Sequence, residues 1–249
     1  MISKEELNAI KAARKTSFFY EEKEYLQYIF LNALSNYAEE FILKGGTCLR
    51  ICYNLERASE DLDFSTSLEK NKIKEIVKKC LKSFELLCIE YEIYAEKEFE
   101  GNLRIEARFK GPLFTGLSQS TNTLKIDFNK NKIRNKVAKV ISKLFSDVPP
   151  FTILVSEEKE ILAEKIRAMI SRKQARDLYD VWMLLQNKIL IDKNLLKEKL
   201  KEEKLSFSQL KKLNLVSKEE YETELKNLLN YLPPYEQVKR DVLKGLGIE

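Results

Sequence analysis

The 249-residue chain contains no histidine. That removes Ser–His–Asp and Cys–His triads, histidine metal ligands and imidazole acid–base catalysis together. Any chemistry must come from carboxylates, lysine, hydroxyls, thiols or a bound metal. Cysteine is scarce as well: Cys48, Cys52, Cys80 and Cys88 form no C-x-x-C pair, and with no histidine to complete a ligand set they do not suggest zinc. They read as buried, reduced thiols of a cytoplasmic protein. Seven glycines and five prolines leave little material for long loops and point to helices with short connections. No run of about 18 apolar residues is available to cross a membrane. The opening MISKEELNAIKAARK is charged and amphipathic, so no signal peptide is expected.

What the chain does have is a hydrophobic content of 44%, enough to bury a core, and a charged content of 33% dominated by lysine and glutamate. The formal charge of +5 permits an anionic partner without requiring one. Chemistry concentrates between Phe41 and Ser65. Phe41, Ile42 and Leu43 suit a buried strand, and Gly45 and Gly46 allow a tight turn with close approach to a ligand. Thr47 is placed to cap a following helix, whose free N-terminal amides suit phosphate. Alternation along Asp61-Leu62-Asp63-Phe64 puts both carboxylates on one strand face. Two acids side by side repel, and a divalent cation such as magnesium relieves the cost. Either half alone fits a Gly-rich hairpin or a solvated strand edge better than a site; the two in this order and spacing favour a site.

Around this stretch, helices are expected over Ser3–Arg14 and Glu21–Glu39, packed over the first strand, and over Leu68–Leu87. Strands are expected over Cys88–Tyr94, Leu103–Phe109 and Thr123–Phe128. In the last of these, Lys125 and Asp127 share a face, so Asp127 would join Asp61 and Asp63 if the two strands are neighbours. Basic residues then recur at every second position from Lys130 to Lys136; a solvated loop or a phosphate-tracking edge both fit. Pro149-Pro150 and a short strand over Phe151–Val155 close a first region, 1–155. From Ser156, a plausible N-cap, region 156–249 reads as helical, with Lys165 and Arg172 on one helix face and Asp177 and Asp180 one turn apart. Three or four Lys/Glu-rich helices are expected after Asp192.

Together, Lys44-Gly45-Gly46-Thr47, Arg57-x-Ser59-x-Asp61-Leu62-Asp63-Phe64, Lys125-Ile126-Asp127, Ala163 to Ala168, and Arg172 followed by Arg176-Asp177-Leu178-Tyr179-Asp180 resemble the AbiEii-type nucleotidyltransferase toxins, within the polymerase-β-like nucleotidyltransferase superfamily. The resemblance runs roughly from Ser3 to Leu185. It implies an α/β (α+β) fold, a mixed β-sheet flanked by helices and followed by a helical C-terminal region. It also implies transfer of a nucleotide from a nucleoside triphosphate to an acceptor, with tRNA 3′ ends as the expected acceptor and a cognate antitoxin as partner.

Carried over residue by residue, the resemblance makes Asp61 and Asp63 ligands of Mg2+ or Mn2+, with Asp127 a third ligand or the acceptor of the hydroxyl proton. Gly45, Gly46 and Thr47 would cradle the triphosphate, with Lys165 and Arg172 supplying positive charge there. Asp180 would position Lys165 or touch the nucleotide. Arg57 and Ser59 would contact phosphate or brace the turn before the acids. The Asp61–Asp63 face, Asp127 and Lys165 are expected to converge on one cleft. Two other readings remain: transfer to a small molecule or protein without a toxin role, and a non-catalytic nucleic-acid-binding or partner protein on the same scaffold.

Overall fold

The computed structural model describes residues 1–99, 101–210 and 213–248, which divide into two compact units: Met1–Cys52 with Ala58–Ser156, and Tyr53–Arg57 with Glu157–Glu249. In the first unit, helix α1 (Lys4–Arg14) starts where the Ser3 hydroxyl accepts from the Glu6 amide. Ser17 does the same for α2 (Phe18–Leu34) by accepting from the Tyr20 amide, and a 3-10 turn over Ser35–Tyr37 follows. The chain continues through β1 (Ile42–Lys44), α3 (Gly45–Cys52), β2 (Leu62–Ser65), α4 (Lys70–Leu86), β3 (Glu90–Phe99), β4 (Asn102–Lys110), β5 (Asn122–Asn129), β6 (Lys136–Ile141) and β7 (Phe151–Ser156). Among the described residues these seven strands form one mixed sheet in the order β3-β4-β5-β2-β1-β7-β6.

Pattern and packing agree along the central strands. Leu62 and Phe64 on β2, and Leu124, Ile126 and Phe128 on β5, are all buried on one face. There Phe64 stacks on Phe128 at 5.5 Å between ring centroids, with Phe41 and Phe30 at 6.1 and 6.5 Å from Phe64. Helix α2 covers this face by packing on β5, β7 and α4; β1, the expected neighbour, is not its main contact. The opposite sheet face is left to the polar residues that alternate with the core.

Several local expectations are corrected. Thr47 lies inside α3, which begins at Gly45, and is not its cap. Ser156 ends β7, and the cap position of the next helix is Glu157. Strand β6 was hidden because its exposed Lys136, Val137, Ala138 and Val140 give no inward alternation to read. Among the cysteines Cys48 and Cys80 are buried, but Cys88 is exposed.

The second unit is helical: α5 (Glu158–Ser171), α6 (Ala175–Gln186), α7 (Lys193–Glu202), α8 (Phe207–Leu210), α9 (Lys218–Leu225) and α10 (Tyr235–Leu246). Helices α5 and α6 pack on each other, α7 adds to α5, and α9 and α10 add to α6. Asp192 caps α7, Ser217 and Glu220 form a capping box at α9, and Gly247 ends α10 in the left-handed region at φ +67°. No described helix is long and apolar enough to cross a membrane.

Because Phe64 sits at the centre of the aromatic cluster, Phe64→Ala is expected to cost about 3–5 kcal/mol of stability, measured by denaturant unfolding. A loss below about 1 kcal/mol would contradict the packing described.

Candidate active site

The turn from β1 into α3 is built for close approach. Gly45 has φ +72°, and a Cβ built there would lie 2.5 Å from Oδ2 of Asp63. Glycine is therefore required twice, for its backbone conformation and for the room it leaves the carboxylate. The register explains the approach: β1 pairs antiparallel with β2, placing Lys44 opposite Asp63. Helix α3 is anchored from below by Arg50, whose Nε donates to Glu24 of α2 at 3.1 Å. The Thr47 hydroxyl donates to the Asp61 carbonyl oxygen and lies 3.0 Å from the Ser59 hydroxyl, so it fixes the segment that leads into the acids. Gln27 of α2 completes that anchoring, its side-chain amide donating to the carbonyls of Ser59 and Glu60 at 3.1 and 3.0 Å.

Strand β2 also pairs in parallel with β5, with Asp63 beside Asp127, and Asp61 stands one residue before β2 on the same face. The structure thus brings Asp61, Asp63 and Asp127 to neighbouring positions on one side of the sheet. Burial raises the Asp61 carboxyl above its usual range, Lys125 opposes this, and Asp127 and Glu60 add to it. Asp127 itself is held otherwise. Arg104, directly opposite on β4, donates Nε and Nη2 to its two oxygens at 2.7 and 2.9 Å. Among the described residues no three acid or cysteine side chains are grouped closely enough to count as a metal site. The third acid, Asp127, is in bidentate contact with Arg104.

A divalent ion nonetheless fits the remaining pair. Asp61 and Asp63 offer hard oxygens, Asp61 carries charge that its surroundings disfavour, and magnesium is ordinarily held by one or two carboxylates together with phosphate oxygens and water.

The second unit contains a different ionic centre. Lys165 on α5 is 7% exposed, with Nζ 3.0 Å from Asp177 and 2.7 Å from Asp180, both on α6 and both fully buried. Arg172 donates Nε and Nη2 to Asp177 at 2.6 and 2.8 Å while keeping about half its side chain exposed. Arg57 donates Nε and Nη2 to Asp180 at 2.6 and 2.7 Å and is itself 2% exposed. Arg57 is thus buried against Asp180. Asp180 is fully buried between Arg57 and Lys165. Burial pushes Asp177 up, but Lys165 and Arg172 outweigh it and take it down to about 2; Arg57 and Lys165 hold Asp180 low in the same way.

Arg104 and Gln27 were not singled out in the sequence. Arg104 had a signal, as an outward basic residue on the strand alternating Leu103, Ile105, Ala107 and Phe109. Gln27 had a weaker one, as a polar residue between Leu26 and Tyr28 on an apolar helix.

Two outcomes follow from these charges. Asp61→Asn removes a carboxylate that the fold disfavours, so in metal-free buffer at pH 7 the variant is expected to melt higher than the wild type; a lower Tm would contradict the assigned burial penalty. The folded pKa of Asp177 lies below its unfolded value of about 3.9, so its contribution is full above roughly pH 4 and disappears as pH falls through about 2. Acid unfolding of Asp177→Asn should lack that part of the pH dependence.

Comparison with known proteins bears on the fold and the family. The chain spans 94% of itself and 92% of JHP933 from Helicobacter pylori at 21% identity and a TM-score of 0.63. Against MenT4, the nucleotidyltransferase toxin Rv2826c of Mycobacterium tuberculosis, it covers 100% of itself and 89% of that chain at 19% identity and a TM-score of 0.72. These structures share the fold. No protein of curated function matches the sequence. The model of the nucleotidyl transferase AbiEii toxins of type IV toxin–antitoxin systems matches residues 29–242, and the chain belongs to that family.

Proposed function

We propose that this nucleotidyltransferase toxin transfers a nucleotide from a nucleoside triphosphate to the 3′ end of an RNA, with tRNA as the acceptor, in a reaction that depends on Mg2+ or Mn2+. The observation that carries the reading is the contact between Gly45 and Asp63: a glycine turn that opens a helix N-terminus lies directly against one carboxylate of an acidic pair. Phosphate and metal needs are thereby met within one turn of chain.

Each residue has a task. The first amides of α3, from Gly45 to Thr47, come before the helix's own i to i−4 hydrogen bonds begin and suit the triphosphate oxygens. Asp61 and Asp63 hold the divalent ion, which when bound supplies charge neutralisation at the reacting phosphate and the departing pyrophosphate. Thr47 and Gln27 keep the Asp61 segment in place. Asp127, clamped by Arg104, borders the pair and completes the negative side of the site. Within the second unit, Lys165 is held between Asp177 and Asp180, and the half-exposed Arg172 contacts Asp177. A cognate antitoxin restrains the activity.

The reading is tested by incubating the full chain with each labelled nucleoside triphosphate, Mg2+ and total tRNA. Label on RNA is expected for the wild type, and a loss of about 100-fold or more for Asp63→Ala. Label appearing only on a protein or small molecule would overturn the RNA acceptor, and no transfer to anything would overturn the enzyme reading. Gly45→Ala should lose transfer comparably while remaining folded, because the added Cβ displaces the Asp63 carboxylate. Full activity in that variant would show the contact to be dispensable.

A further inference from the structure

Between Phe128 and Ser146 the chain carries six cations, Lys130, Lys132, Arg134, Lys136, Lys139 and Lys143, and no acid. Its course is fixed where it leaves β5. The Asn129 side chain accepts from the Asn131 amide at 3.1 Å, the Asn129 carbonyl accepts from the Thr66 amide at 2.9 Å, and the Ser65 hydroxyl donates to the Asn131 carbonyl. Ser65 alternates with Asp63 and Asp61 and so faces the same way. The chain therefore departs over the acid-bearing side of the sheet, two residues or about 7 Å along β2 from Asp63.

It next pairs at Lys136, opposite Ser156, on the far edge of the sheet. From β5 to β6 are four strand spacings, about 19 Å, and the seven steps from Asn129 to Lys136 span about 23 Å when extended. The segment has little slack and must run as a strap past β2, β1 and β7. Exposure alternates along it: Lys130, Lys132, Arg134 and Lys136 are exposed, while Asn131, Ile133 and Asn135 are half-buried. The half-buried residues seat the strap and leave four cations on its open side at intervals of about 7 Å. The ion pair between Lys130 and Glu69, at 2.7 Å, joins two exposed side chains and is easily exchanged for a phosphate.

We propose that residues 130–136 form the track along which the phosphodiester backbone of a single-stranded RNA end is drawn toward Asp61 and Asp63. A repeating anion matches a repeating row of cations, whereas a small acceptor would meet one of them. The proposal rests on the nucleotidyl-transfer reading of the acid-bearing face and assigns the acceptor side of that site.

The test uses the full chain and the variant Lys130→Gln/Lys132→Gln/Arg134→Gln/Lys136→Gln. Binding of a fluorescent single-stranded RNA is followed by anisotropy over a range of salt, and binding of a fluorescent nucleoside triphosphate with Mg2+ is followed in parallel. Each backbone contact contributes about −0.7 to the slope of log affinity against log salt, so the variant's slope should be shallower by about 2–3 units with weaker RNA binding. Nucleotide binding and melting temperature should match the wild type. Equal RNA affinity and slope in the two proteins would overturn the track, as would loss of nucleotide binding in the variant, which would place the strap at the triphosphate. Binding of an acidic peptide but of no RNA by the wild type would also overturn it. Strap-dependent RNA binding in a protein that transfers no label would keep the track and overturn the transfer reading.

Discussion

The site depends on the absence of a single carbon. Gly45 must lack a Cβ for the Asp63 carboxylate to lie where it does, and its left-handed backbone turns β1 directly into α3. One turn of chain thus sets the position of an acid and the direction of a helix N-terminus. The surrounding structure serves that contact: β2 is held between β1 and β5, Thr47 and Gln27 fix the segment before it, and Arg50 ties α3 to α2.

The two ionic centres differ in how fully they are compensated. In the second unit, Asp177 and Asp180 meet Lys165, Arg172 and Arg57 at 2.6–3.0 Å, and their carboxyls are held low. Breaking such a buried set is costly, and its geometry is correspondingly rigid. In the first unit, Arg104 donates Nε and Nη2 to Asp127, and Asp61 remains raised by burial and by its acidic neighbours. Charge left disfavoured in this way is characteristic of a site that acquires a ligand.

Much of this arrangement could be read in the sequence because its determinants are local. Strand alternation placed Asp61 and Asp63 together, and the Lys125-Ile126-Asp127 run showed that Asp127 would join them if β5 lay beside β2; the parallel pairing meets that condition. Helical spacing linked Lys165 with Arg172, and Asp177 with Asp180. Sequence failed where long-range partners decide. Nothing near Asp127 indicates that Arg104 takes both its oxygens, and nothing near Arg57 indicates Asp180, 123 residues away. Strand β6 was missed because an exposed edge strand lacks the apolar alternation by which strands are recognised.

The claim on which the rest turns is that Asp61 and Asp63 form a cation site. It is tested most directly by titrating Mn2+ into the wild type, Asp61→Asn and Asp63→Asn and counting free ion by electron paramagnetic resonance, with no nucleotide present. The expected result is saturable binding in the wild type that weakens by about tenfold or more in each variant. Unchanged Mn2+ affinity in both variants would contradict it.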